Sequence, residues 1–138
     1  MRLVQISDCH LFADVSKTGY QNINPYQSLL KVLKAVSSYK LDLLLVTGDL
    51  SGDGSKESYR HFKNLVSDAN LPCPVSILPG NHDVPEILKS EFSQTILWGN
   101  TPHTSADPKW QIHLLNSHHK GTLGQVSVDD LCALSEQL

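Results

Sequence analysis

Three short clusters in this chain gather residue types that can hold a divalent cation: Asp8-Cys9-His10, Gly48-Asp49 and Gly80-Asn81-His82-Asp83. Each follows an apolar stretch, Leu3 to Ser7, Leu41 to Val46 and Val75 to Leu78 respectively. Ligands of open α/β sheets bind at the carboxyl ends of strands, so three such clusters in succession argue for one shared site. Singly, each has a bland reading as a polar turn, because Gly, Asn and Asp are ordinary turn residues. The combination is what points to a site.

Asp8 and His10 are two apart. In extended chain both project to the same side and offer one cation an oxygen and a nitrogen. The same alternation directs the Cys9 thiol away from them, into packing. Asp49 can bridge two cations with its two oxygens, and Asn81 offers a carbonyl oxygen to the second. Carboxylate, imidazole and amide together suit manganese, iron or zinc. Two cations about 3.5–4 Å apart can hold the attacking and leaving oxygens of a displacement at phosphorus. His82 is then placed to protonate the leaving oxygen or stabilise its charge; its structural alternative is a turn imidazole satisfied by backbone.

The elements that must position these residues follow from pattern. Arg2 to Ser7 reads as a first strand, and Pro25 to about Tyr39 as a helix with Asn24 as its N-cap and Leu29, Leu30, Val32, Leu33 and Val36 at helical spacing. Leu41 to Val46 is a nearly continuous apolar run, as in a parallel strand buried on both faces. A helix carrying Tyr59, Phe62, Leu65 and Val66 leads to a third strand from Val75 to Leu78, and a further helix leaves the turn at Val84. Gly99 to Pro108 reads as loop, Lys109 to Asn116 as a strand, and Ser127 opens a helix with Leu131, Leu134 and Leu138 on one face. Strand–helix alternation predicts an α/β fold with a mostly parallel sheet flanked by helices.

The chain has 138 residues, 40% hydrophobic and 18% charged, enough for one domain with a core. A net charge of -3 supplies no basic field for nucleic-acid backbone. No apolar run reaches membrane-spanning length, and no signal peptide is expected ahead of the first strand. Three cysteines without C-x-x-C spacing are expected to be reduced thiols in the cytoplasm.

Asp8-x-His10, Gly48-Asp49 and Gly80-Asn81-His82-Asp83 resemble the motifs of the calcineurin-like metallophosphoesterases. Gln5 to Phe12, Thr47-Gly48-Asp49-Leu50, Tyr59-Arg60-His61-Phe62 and Trp110-Gln111-Ile112 through Leu115-Asn116-Ser117 look most like bacterial class III 3′,5′-cyclic-nucleotide phosphodiesterases. The resemblance implies two divalent ions (iron, manganese or zinc), with Asp8 and His10 on the first, Asp49 bridging and Asn81 on the second. It also implies that Asn81 and His82 contact a small phosphodiester such as cyclic AMP, and that Asp53, beside Gly52, orients His82. Asn22, in the loop with Gly19 and Asn24, is a further candidate for touching the substrate phosphate.

The family's later histidine motifs have no match here. His118-His119 is followed by Lys120-Gly121 and reads as a solvated loop, His103 reads as loop, and His61 and His113 read as structural members of a helix and a strand. Residues 1–138 are therefore expected to be the first half of a four-layer α/β/β/α metallophosphoesterase sandwich, truncated at the C-terminus. The alternative expectation is a non-catalytic remnant that folds, binds metal weakly or associates with a partner chain. Dimer formation through an uncovered apolar face is expected in either case.

Overall fold

The computed structural model describes residues 1–92, 103–104 and 109–137. Its centre is a three-stranded parallel sheet of β1 (Leu3–Ser7), β2 (Leu43–Thr47) and β3 (Val75–Leu78), in that order. Register pairs Ser7 with Thr47 and Thr47 with Leu78, so all three strands end level with one another. The loops that follow them therefore emerge at one edge of the sheet.

Helices α1 (Pro25–Val36) and α2 (Lys56–Ala69) supply the two crossovers, and α3 (Pro85–Phe92) follows β3. Asn24 caps α1 by accepting from the Gln27 amide at 2.9 Å, and Pro25 occupies the first turn, where its missing N–H costs nothing. Ser55 caps α2 through the Ser58 amide at 3.2 Å, and α2 ends on Asn70 in the left-handed conformation. Leu29 and Leu33 of α1, Tyr59, Phe62 and Leu65 of α2, and Leu88 and Phe92 of α3 pack with Leu44, Val46, Val75 and Ile77 of the sheet into one core. The parallel α/β expectation is met.

Several boundaries differ. Helix α1 stops at Val36 rather than near Tyr39, where the Ser37 and Ser38 hydroxyls donate back to the carbonyls of Lys34 and Ala35 at 3.0 and 2.7 Å. Serine side chains compete in this way with continued helix. A single turn of 3-10 helix, Tyr20–Asn22, interrupts the expected loop. Of the strand expected over Lys109 to Asn116, only β5 (Gln111–Ile112) pairs, with β4 (His103–Thr104); His103 is thus paired strand and not loop, and His113 lies beyond the strand. The rest of the loop expected over 99–108 falls outside the described residues.

The His118-His119 expectation is also corrected. Strand β6 (His118–Lys120) pairs antiparallel with β7 (Leu123–Gly124) around Gly121, whose φ of 57° suits a hairpin turn. Helix α4 (Val128–Gln137) opens where Ser127 accepts from the Asp130 amide at 3.0 Å, as expected. None of its described residues is buried, and Leu131 is exposed; Leu138 lies outside the described residues.

Candidate metal centre

Strand β1 ends at Ser7, and the chain turns at once into left-handed backbone at Asp8 (φ 54°) and again at His10 (φ 45°). The extended geometry expected for Asp8-x-His10 is therefore not what unites them. The loop is instead held by strand-like bonds to its neighbour: the Asp8, His10 and Leu11 amides donate to the carbonyls of Gly48, Asp49 and Leu50 at 3.2, 2.8 and 2.9 Å. His10 Nε2 then lies 3.7 Å from Asp8 Oδ1 and 3.8 Å from Asp49 Oδ2. Cys9 is buried in the core, as expected, although for this different reason. Burial, and after it the charges of Asp83 and Asp8, push its thiol up to about 12, so it is a packing group and not a thiolate ligand.

Asp49 follows β2 in the same left-handed region (φ 45°), directly after Gly48 at φ 84°. Its carboxylate is buried. Oδ1 accepts from the His82 amide at 2.9 Å, which leaves Oδ2 toward His10. Gly80 makes this approach feasible, because a Cβ there would overlap Asp49 Oδ1 and its backbone nitrogen. His10 and His82 meet edge to face, ring centroids 5.1 Å apart. The ligand atoms of His10, Asp49 and His82 all lie within 4.8 Å of one another. Two imidazoles and a carboxylate at that spacing fit a divalent transition metal ion.

The expected residues are thus distributed as follows. Asp8, His10, Asp49 and His82 converge, with His82 inside the donor cluster rather than only beside it. Asn81 is exposed on the same turn, next to His82. Asp53 is engaged elsewhere: it accepts from the Ala13 amide at 2.9 Å, from the Ser55 amide and hydroxyl at 3.0 and 2.6 Å, and from the Ser51 hydroxyl at 3.4 Å. It ties the loops after β1 and β2 together, and its described bonds do not reach His82. Asn22 is exposed in the 3-10 turn, with its amide donating to Gly19 at 3.2 Å, and Asn24 caps α1. His61 is structural as expected, its ring bonded to the Ala13 carbonyl at 3.0 Å and set against Tyr26.

The residue whose role the sequence leaves unread is Asp83. Its buried carboxylate accepts from the amides of Leu50, Ser51 and Gly80 at 3.2, 3.0 and 2.9 Å, and from the Tyr59 hydroxyl at 3.2 Å. The loops bearing Asp49 and His82 are therefore fastened to one anion. Tyr59 itself accepts from the Val84 amide at 2.7 Å, and burial raises its pKa, keeping the phenol neutral. The only signal in the sequence is the position of Asp83, directly after Asn81-His82.

Comparison with known proteins agrees with this geometry. Residues 1–135 match the family described as Calcineurin-like phosphoesterase. The chain is 35% identical over 141 residues to a 3′,5′-cyclic adenosine monophosphate phosphodiesterase, CpdA, of Haemophilus influenzae, covering 100% of this chain and 50% of that protein. It is 32% identical over 137 residues to a probable cyclic nucleotide phosphodiesterase of Vesicomyosocius okutanii, covering 99% and 54%. It is 33% identical over 144 residues to a probable glycerophosphodiester phosphodiesterase, GpdQ, of Arcobacter nitrofigilis, covering 100% and 52%. The chain spans about half the length of these curated relatives. With the family match running through all three strand-end loops, the chain belongs to the calcineurin-like phosphoesterases, a lineage of metal-dependent hydrolases.

Proposed function

We propose that this chain carries the ligand-bearing half of a dinuclear phosphodiesterase site for a cyclic nucleotide, cyclic AMP first among them. The observation that carries the reading is the convergence of Asp8, His10, Asp49 and His82 from loops after three adjacent parallel strands. In this reading Asp8 and His10 would hold one ion, Asn81 the other, and Asp49 would contribute to both. Manganese, iron and zinc all suit these donors. Such ions, when bound, supply charge neutralisation at phosphate and activation of water.

The protein's own contribution is positional. The amide of His82 holds Asp49 Oδ1, which fixes the carboxylate's orientation before any ligand arrives. The exposed His82 side chain can then donate its proton to the leaving oxygen of a phosphodiester seated at the cluster. Asn81, exposed beside it, can donate its amide to a phosphate oxygen. Cys9, Cys73 and Cys132 are free thiols, which supports a cytoplasmic setting. Among the described residues no helix is long and apolar enough to cross a membrane.

A second reading has its own support: His10, Asp49 and His82 alone are compact enough to bind a single ion. Manganese titration calorimetry, with hydrolysis of bis-p-nitrophenyl phosphate and cyclic AMP, separates the two. Two ions per chain favour the dinuclear reading, one ion favours the second, and no binding sinks both. Each ion of a dinuclear site would have few described protein ligands, so turnover by the 138-residue chain is expected to fall well below a typical rate of about 1 per second.

A further inference from the structure

Strand β3 ends at Leu78 and α3 begins at Pro85, and the turn between them carries Asn81 and His82. Three alternate amides of that turn, those of Gly80, His82 and Val84, each donate to a side chain. Their acceptors are Asp83 Oδ2 at 2.9 Å, Asp49 Oδ1 at 2.9 Å and the Tyr59 hydroxyl at 2.7 Å. Among the described bonds, none joins these amides to a backbone carbonyl. The turn therefore takes its shape from side-chain acceptors and not from a backbone pattern of its own.

Of the three acceptors, Asp49 is itself a candidate ligand and Asp83 belongs to the turn, whereas Tyr59 comes from α2. The Tyr59 ring is buried in the core, edge to face with Phe92 of α3 at 6.4 Å between centroids. Its hydroxyl reaches both residues that follow His82: it donates to Asp83 Oδ1 at 3.2 Å and accepts from the Val84 amide. A neutral hydroxyl can donate and accept at once, which an ionised carboxylate or ammonium cannot. The position of α2 in the core is thus relayed to the chain on one side of His82, while Asp49 holds the His82 amide itself.

We infer that Tyr59 is a positioning residue for His82, keeping its imidazole in register with His10 and Asp49 through Asp83 and Val84. The inference rests on the metal reading of His10, Asp49 and His82, and adds to it a residue outside the cluster on which its geometry depends. His82 is exposed, so no packing around its side chain fixes it; the backbone beneath must do so. A misplacement of about 1 Å in a site can cost on the order of a hundredfold in rate.

The test combines amide hydrogen exchange of the metal-free chain, read by NMR, with cobalt titration followed by visible absorption. In the parent, the His82 amide is expected to exchange slowly although its side chain is exposed. Exchange there at the rate of an open loop overturns the proposal before any variant is made. Tyr59→Phe keeps the ring and removes the hydroxyl. It should speed exchange at His82 and Val84 roughly tenfold or more, leave the core amides of Leu44 and Val46 unchanged, weaken cobalt binding and shift its absorption bands. Leu65→Ala, a buried change on the same helix, is the control: it should raise exchange throughout the chain and leave the cobalt bands in place. The proposal is overturned if Tyr59→Phe leaves the His82 amide or the cobalt bands at parent values, or moves every amide alike as the control does. Should Tyr59→Phe fail to fold, Asp83→Asn carries the same expectations, because Tyr59 acts through Asp83. A parent that binds no cobalt sinks the metal reading, and exchange at His82 then decides the positioning role by itself.

Discussion

One methyl group at Gly80 is enough to probe the centre. Gly80→Ala would drive a Cβ into Asp49, so a loss on the order of 1–3 kcal/mol in urea unfolding is expected, together with weaker manganese binding. A loss of stability with unchanged metal affinity would separate Gly80 from the site. Asp49→Asn should weaken manganese binding more than His82→Asn does, because Asp49 contributes the buried carboxylate of the cluster and His82 an exposed imidazole; equal affinities by calorimetry would refute the bridging role. Residue types and spacing make Asp8, His10, Asp49 and His82 legible in the sequence itself, and their shared place at strand ends explains why they converge. Their backbone is not legible there, since left-handed conformations at Asp8 and His10 depend on bonds to Gly48 and Asp49 some 40 residues away. Asp83 escapes a local reading for the same reason: its partners Leu50, Ser51 and Tyr59 are 33, 32 and 24 residues distant.

At the scale of elements, the caps and strands are written locally and can be read locally: Asn24, Ser55 and Ser127 each accept the amide three residues on. Short pairings such as β4 with β5 and β6 with β7 have no periodicity to read, and there the loops expected at His103 and His118 are strand instead. Asp53 adds a side-chain tie to the backbone bonds that join the first two loops. Burial opposes its ionisation, but hydrogen bonds from Ser55, Ala13 and Ser51 outweigh that and hold its carboxyl below the usual range. A depressed folded-state pKa contributes stability above the unfolded carboxylate value of about 3.9, which is lost as pH falls through the folded value. Acid unfolding followed by circular dichroism should therefore show a steeper stability loss below about pH 4 for the parent than for Asp53→Asn. Superimposable profiles would show that the loop tie carries no linkage.

Taken whole, the molecule leaves one side of its edge strand β1 open, although Leu43 and Ser76 on the same side of β2 and β3 are buried. Val4 and Ile6 face the helical core, whereas Leu3, Gln5 and Ser7 on the opposite side of β1 are exposed, and β1 is an edge strand of this sheet. That face is mixed, with Gln5 Nε2 donating to Thr47 Oγ1 at 2.7 Å across it, and so is less apolar than expected for an uncovered half-sandwich. Edge strands with exposed aliphatic residues invite pairing with other chains. Sedimentation velocity should show concentration-dependent self-association that Leu3→Lys reduces; a parent chain monomeric at its highest soluble concentration would rule this out.

The left-handed backbone at Asp8, His10 and Asp49 also bears on the idea of a decayed remnant. Each such non-glycine residue costs the fold on the order of 1 kcal/mol, though Asp and His tolerate the region better than most. A chain relieved of chemical duty gains by exchanging these residues for glycine, and nothing in its core opposes the exchange at exposed Asp8. This sequence has glycine at Gly48, immediately before Asp49, yet keeps ionisable side chains at all three strained positions. The candidate ligands thus occupy positions that the backbone alone would give to glycine.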